Sequence, residues 1–493
     1  MKGDEMKKIL LMLLVISVAI SMVATFSLTG CKKEAAEETA AAETTAAGTE
    51  AAEETTAAEE TTAAETAPAE PVKLVIWWWG EQEAAGLEGF MQESTEMYTA
   101  EHPNVTFELV LQSTESLVEA FRAAGAAGEG PDIQYFWGGI LTIEDAWNEF
   151  IVPISDFISE EELSHMYTRN EQMMGGKIWG APWYMVPMVF GYNKTIFKEA
   201  GLDPENPPKT WTNFMAACKA IKDAGYSPIM LGNQEGIQGG WMQGWLGGQW
   251  MGGKTPRDFM APVVEQASYT DPKYATWWKY YGMLRDNGYL NDDYESIQLY
   301  QGMEEFMAGK GAFSFGVLSS AVSWINTMGI ENVGLMSAPI VEEAGGGWAK
   351  PDMLDVSSQA LAITSWSENK EVAADFIAFL HSAERQNAMY LQSGAPPCDD
   401  RFDMNLLKTE QEKWAYKQVT SGNWFFHNEN YIPWQVNIDG HYVVGQQFID
   451  ENLTPEEAAG RVEEAAKLFR SENPDTLQKM VDWYDSFGEV FGE

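Results

Sequence analysis

Along the chain, short apolar runs alternate with stretches of helical spacing. Lys73-Leu74-Val75-Ile76-Trp77 is a compact run of strand-forming residues, and Gly80 ends it. Leu87, Phe90, Met91, Ser94 and Met97 then fall on one face of a predicted helix. After the turn His102-Pro103-Asn104, Val105, Phe107, Leu109 and Leu111 alternate with polar positions, which predicts a second strand. Leu117, Ala120, Phe121 and Ala124 restore helical spacing up to Gly128-Glu129-Gly130-Pro131, and Asp132 to Phe136 reads as a third strand. Strand, helix, strand, helix, strand predicts a parallel sheet flanked by helices. Ligands of such sheets bind beyond the carboxyl ends of the strands, so two loops are singled out, Trp78 to Glu83 and Trp137 to Gly139.

Three later segments carry further signals. Gly180-Ala181-Pro182-Trp183-Tyr184 leads into Val189-Phe190-Gly191-Tyr192-Asn193-Lys194, and Thr210 is placed to cap a helix running to Gly225. Met303 to Ala308 predicts a short helix, stopped by Gly309-Lys310-Gly311 and followed by the strand Ala312 to Phe315. Asn369 to Ala383 is amphipathic, with Val372, Phe376, Ile377 and Leu380 inward. Thr454-Pro455-Glu456-Glu457 is a capping box with proline at the first helical position.

The amino-terminal part obeys a different logic. Lys2, Lys7 and Lys8 precede an apolar run from Ile9 to Phe26, the arrangement of a secretory signal. Leu28-Thr29-Gly30-Cys31 resembles a bacterial lipobox, which implies cleavage after residue 30 and lipidation of Cys31. Residues 31–71 then supply the lipidated cysteine and an Ala/Glu/Thr tether without an aromatic residue. Such a segment buries too little apolar surface to offset its ordering entropy. Several acyl chains together would hold the protein at the outer face of the cell membrane.

From residue 72 onward the composition is globular and long enough for two lobes. A net charge of -43 excludes nucleic acid as a partner, because phosphate contacts need clustered lysine and arginine. Besides Cys31 there are Cys218, on the apolar face of a predicted helix, and Cys398, in a turn; both read better as buried thiols than as a bridge. The five histidines show no close ligand spacing, and neither a nucleophile elbow nor a phosphate loop is present. No cofactor is expected. The 20 tryptophans, many beside glycine turns, suit a cleft that covers sugar C–H faces with aromatic rings and pairs hydroxyls with carboxylates and amides. On that ground Trp79, Trp137, Trp183, Trp241, Trp245 and Trp348 are candidate ligand contacts, while Trp77, Trp211, Trp277 and Trp278 sit on strand or helix patterns and read as packing.

The order of these pieces resembles the family 1 extracellular solute-binding proteins, the family that includes maltose-binding protein. The matching motifs are the lipobox, the Trp-rich first strand, Gly130-Pro131-Asp132, Gly191-Tyr192-Asn193-Lys194, Pro208-Lys209-Thr210-Trp211, the Gly309-Lys310-Gly311 region and the Asn369 helix. The resemblance implies an α/β fold of the type II periplasmic-binding-protein kind. Its two lobes, residues 72–185 with 338–395 and residues 186–337 with 396–493, would be joined by crossing strands. It implies a non-enzymatic, monomeric subunit that closes on an oligosaccharide and delivers it to an ABC permease served by a separate ATPase. By the same resemblance, Glu81 and Gln82 fall on sugar-binding positions, Gln82 where the family has lysine. Glu235 matches a sugar-contacting glutamate, and Gly138-Gly139 replace a sugar-binding aspartate after Trp137. Asp439 stands where maltose-binding protein stacks a tryptophan, leaving Trp434 or Trp424 to cover that face. These departures argue against maltodextrin. A secreted glycoside hydrolase, with two carboxylates flanking one bond, and a receptor for a peptide or polyamine are the competing readings.

Overall fold

A computed structural model describes residues 70–492 except 115, 252–254, 345–349 and 351. The signal and lipobox, and the tether of residues 31–71 as far as residue 69, lie outside the described residues.

The chain opens as sequence periodicity predicts. β1 (Val72–Trp78) and β2 (Val105–Leu111) pair in parallel, and β3 (Ile133–Phe136) joins the other side of β1, also parallel. Between them, the helix Leu87–Glu101 buries Leu87, Phe90, Met91 and Ser94, with Tyr98 continuing the stripe in place of Met97. The helix Leu117–Ala127 buries Leu117 and Phe121.

Two long strands organise the rest. β4 (Ala181–Asn193) is buried at all 13 positions. β5 is Ser227–Ile229, β6 Gly311–Val317, β7 Val333–Met336, β8 Leu354–Thr364 and β9 Trp424–Phe426. The main sheet runs β2-β1-β3-β8-β4-β6-β5, with β7 also on β4 and β9 also on β8. Residues 181–188 of β4 pair antiparallel with β8, while Met188–Asn193 pair with β6 and β7. β8 likewise pairs through Ala360–Ile363 with β3 and through Leu354–Val356 with β9. Each strand therefore serves one set of neighbours at one end and another set at the other. The result is a mixed α/β fold with one central sheet and helices on its faces.

Local capping follows the sequence. Thr210 accepts from the Asn213 amide and starts the helix Trp211–Asp223. The Thr454/Glu457 capping box starts Pro455–Glu472. The predicted Asn369 helix spans Lys370–Leu380, and a second helix, Ala383–Ser393, follows at once. Trp211, Trp277 and Trp278 are buried in the core. Cys218 and Cys398 are buried free thiols, the latter donating to the Pro182 carbonyl at 2.7 Å. No described helix is long and apolar enough to cross a membrane.

Candidate functional site

A cleft of about 790 Å3, its open mouth included, lies over β4 and β8 near residues 186–188 and 357–359. One wall comes from the carboxyl ends of β1 and β3: Trp79 follows β1 directly, and Trp137 follows β3. The floor is Val186 and Met188 of β4 with Ser357 and Gln359 of β8. The opposite wall carries Trp241 on the helix Ile237–Trp245, Tyr300 on the helix Leu299–Met307, and Val317 at the end of β6. The segment after β9 closes the remaining side with His427, Glu429, Asn430, Trp434, Asn437 and Tyr442.

The aromatic rings are held by one another. Trp137 stacks on Trp434 with centroids 5.8 Å apart and planes 23° from parallel. Trp79 meets Trp137 edge-on at 5.6 Å and donates its indole N–H to Thr114 Oγ1 at 2.9 Å. Trp241 meets Phe315 of β6 edge-on at 5.8 Å.

The polar groups form two clusters. In the first, His427 bonds Asp355 through Nδ1 at 3.0 Å and Glu429 through Nε2 at 3.2 Å. Burial alone would lower the imidazole pKa, but Asp355 and then Glu429 raise it to about 10, so His427 is a cation between two carboxylates. Behind it, Asn430 donates to Glu171 Oε2 at 2.8 Å and to Ser357 Oγ at 2.9 Å. Burial pushes Glu171 up to about 8 against that bond. Glu429 keeps Oε1 buried and unpaired. It lies against Gly240, where an added Cβ would come within 2.1 Å of that oxygen, so the helix Ile237–Trp245 needs glycine there. The second cluster is Glu83, whose side chain reaches the cleft from the turn before Leu87. Burial pushes its carboxyl up to about 7, with Tyr184 opposing. Among the described residues no lysine or arginine lines the cleft.

Of the residues singled out in the sequence, the structure brings Trp79, Trp137, Trp241 and Trp434 together around this cleft. Others stand elsewhere. Trp183 is fully buried, edge-on to Tyr135 and Tyr184. Trp245 is buried among Phe190, Phe315 and Trp211, because a residue four positions after Trp241 sits a full turn deeper against the sheet. Glu81 does not line the cleft: its two oxygens accept the amides of Gly86 and Glu88 at 2.9 and 2.7 Å, capping the helix Leu87–Glu101. Gln82 is exposed and touches the site only through Thr114, at 3.4 Å. Glu235 accepts the Leu299 amide at 3.1 Å beside Tyr300, behind the wall. Asp439 is exposed, and Trp424 packs on Phe426 instead of the cleft. Trp348 lies outside the described residues.

Sequence reasoning passed over Glu83, Gln359, His427, Glu429 and Asn430. The available signal was the polar run His427-Asn428-Glu429-Asn430 between apolar Trp424-Phe425-Phe426 and Tyr431-Ile432, which is more polarity than a buried loop carries without a purpose. Asn430 also accounts for Gly139, and the Ser358 carbonyl for Gly138. A Cβ at Gly139 would meet the Asn430 backbone oxygen at 2.3 Å, and Gly139 adopts φ +54°.

The profile of the family described as bacterial extracellular solute-binding protein matches residues 79–387. The chain belongs to this family. A chitin oligosaccharide binding protein superposes on 81% of the chain and 99% of its own length, with a TM-score of 0.72 at 21% identity. A maltose-bound protein of T. maritima covers 81% of the chain and 100% of its own, with a TM-score of 0.65 at 17% identity. In sequence, the sn-glycerol-3-phosphate-binding periplasmic protein of Shigella flexneri is 32% identical over 96 residues, 20% of this chain. That match spans 18% of the curated relative. The cleft described above thus belongs to a solute-binding protein with the fold of sugar receptors.

Proposed function

We propose that this solute-binding protein captures a saccharide carrying neither phosphate nor carboxylate and hands it to the permease of an ABC importer. One observation carries the reading. The cleft interleaves the rings of Trp79, Trp137, Trp241, Trp434, Tyr300 and Tyr442 with Ser357, Gln359, Asn430, Asn437 and two carboxyl groups, and holds no lysine or arginine among its described residues. Rings cover C–H faces, and the amides and carboxyls pair with hydroxyls. A phosphate would meet only the His427 cation, whose two ring nitrogens already serve Asp355 and Glu429. A glycerol phosphate, named for the Shigella relative, therefore does not suit this cleft.

The lobes read from the sequence would close by hinge motion. β4 passes from its pairing with β8 to its pairing with β6 and β7 at Met188, just beyond the limit read at 185/186, a natural place for bending. A ligand touching both the Trp79–Trp137 wall and the Trp241–Tyr300 wall shifts the equilibrium toward closure by its differential affinity. The protein acts as a monomer by binding, without chemistry of its own. Cleavage after residue 30 and lipidation of Cys31 would anchor it outside the cell, and a Cys31→Ser variant would then lose the membrane fraction.

Thermal unfolding against a panel of oligosaccharides, peptides, polyamines and glycerol phosphate tests the reading, with chromatography of each stabilising sugar afterwards. A sugar at a hundred times its dissociation constant adds about 2.7 kcal/mol and is recovered intact. Recovery of cleaved sugar would make the protein a glycoside hydrolase, and stabilisation by glycerol phosphate or a peptide alone would discard the saccharide.

A further inference from the structure

Glu83 has no task in the contacts so far described. Its side chain is 7% exposed and faces the cleft, yet Oε1 has no hydrogen-bond partner among the described residues. The groups around it are phenols: Tyr135, Tyr184 and Tyr300, the last also beside Glu235. The hydroxyls of Tyr135 and Tyr184 are buried beside Glu83, and Tyr184 opposes the rise of its pKa. None of these carries positive charge. The one cation among the described residues of the cleft, His427, is held by Asp355 on one nitrogen and Glu429 on the other. Glu83 thus has no counter-charge among the described cleft residues, within a chain of net charge -43.

A buried carboxylate without a counter-charge costs several kcal/mol. Glu83 therefore waits as its acid near neutral pH, pushed up to about 7 by burial. A sugar hydroxyl can pair with the protonated acid but offers no counter-charge to its carboxylate form. A ligand cation removes both deficits, and the rings of Trp79 and Tyr300, which line the cleft with Glu83, can share the charge. The long-range field of the chain also concentrates cations and repels anions.

The geometry points to an ammonium subsite: the Glu83 corner of the cleft takes a protonated amino group carried by the saccharide, with Glu83 as its counter-ion. This rests on the saccharide reading and narrows it to amino sugars. On binding, Glu83 gives its proton to solvent as the ammonium arrives, so the charge balances.

The test is calorimetry at pH 6, where a free amine is charged. The full protein is titrated with glucosamine di- to tetrasaccharides, their N-acetylated forms and the corresponding glucose oligomers. Each titration is run in two buffers of different ionisation enthalpy. The free amines bind at least ten-fold more tightly than their neutral counterparts and release on the order of one proton per site, given a carboxyl titrating above the working pH. Glu83→Gln brings the preference within two-fold and abolishes proton release. Equal or weaker binding of the amines, absence of proton release, or a preference that survives in Glu83→Gln overturns the subsite. The buffer comparison on the unaltered protein decides the matter even if the variant does not fold. Failure of every sugar, neutral ones included, would instead remove the saccharide reading on which the subsite rests.

Discussion

Replacing Trp137 with alanine separates a ligand-stacking role from a packing role. Trp137 is half-buried, so its loss leaves the core largely intact. A tryptophan buries about 150–250 Å2, and one ring face against a ligand is about a third of that. At ~25 cal/mol per Å2 the lost ligand contact is worth about 1.5 kcal/mol. Trp434 also loses the partner that stacks on it at 5.8 Å, worth about 1 kcal/mol more if the ring must be reordered on binding. The sum, about 2.5 kcal/mol, is a weakening of roughly 60-fold. Trp434→Ala should act similarly, and the double variant should fall short of the sum because the two rings share one stack. Isothermal titration with whichever saccharide stabilises the protein gives the numbers. A change below about two-fold in both single variants, with an unaltered unfolding midpoint, would refute the assignment of this wall to the ligand.

Glu81→Ala removes both carboxylate contacts at the start of Leu87–Glu101 and should cost about 1 kcal/mol of stability in denaturant unfolding while leaving ligand affinity unchanged. Glu171, buried and pushed up to about 8, is neutral in the folded chain while its unfolded form ionises near 4.5. The stability it confers is complete below pH 4.5 and is lost as pH rises toward 8, so Glu171→Gln should raise the unfolding free energy at pH 8 but not at pH 4, by an amount on the order of 2–4 kcal/mol. Gly240→Ala places a Cβ against Glu429 Oε1 and Tyr442, so it should displace Glu429 and weaken ligand binding more than it lowers stability, read by titration and thermal unfolding together.

The elements that pack by simple periodicity were legible in the sequence, and those shaped by the cleft were not. β1, β2 and their helices bury one face each, so their apolar spacing speaks for them. β4 is buried on every side and contains Pro182 and Pro187, so it reads as two fragments where there is one strand of 13 residues. β8 escapes notice altogether, because Asp355, Ser357, Ser358 and Gln359 are buried polar residues in the middle of a strand. Their partners, His427 and Asn430, are some seventy residues away, and no local pattern announces such pairs. The tryptophans of the cleft could be chosen by residue type and by their position after a strand. Which of two neighbouring glutamates faces the ligand depends on the geometry of one turn: Glu81 turns back onto the amides of Gly86 and Glu88, and Glu83 faces the cleft.

The most direct test of the central claim is a crystal structure of the protein with a stabilising oligosaccharide bound. The account predicts sugar rings packed against Trp137, Trp434 and Trp241, hydroxyls paired with Gln359, Asn430 or Glu429, and the two walls closer together than in the ligand-free protein. A sugar seated outside this cleft, or a cleft filled by an anionic solute, would contradict it.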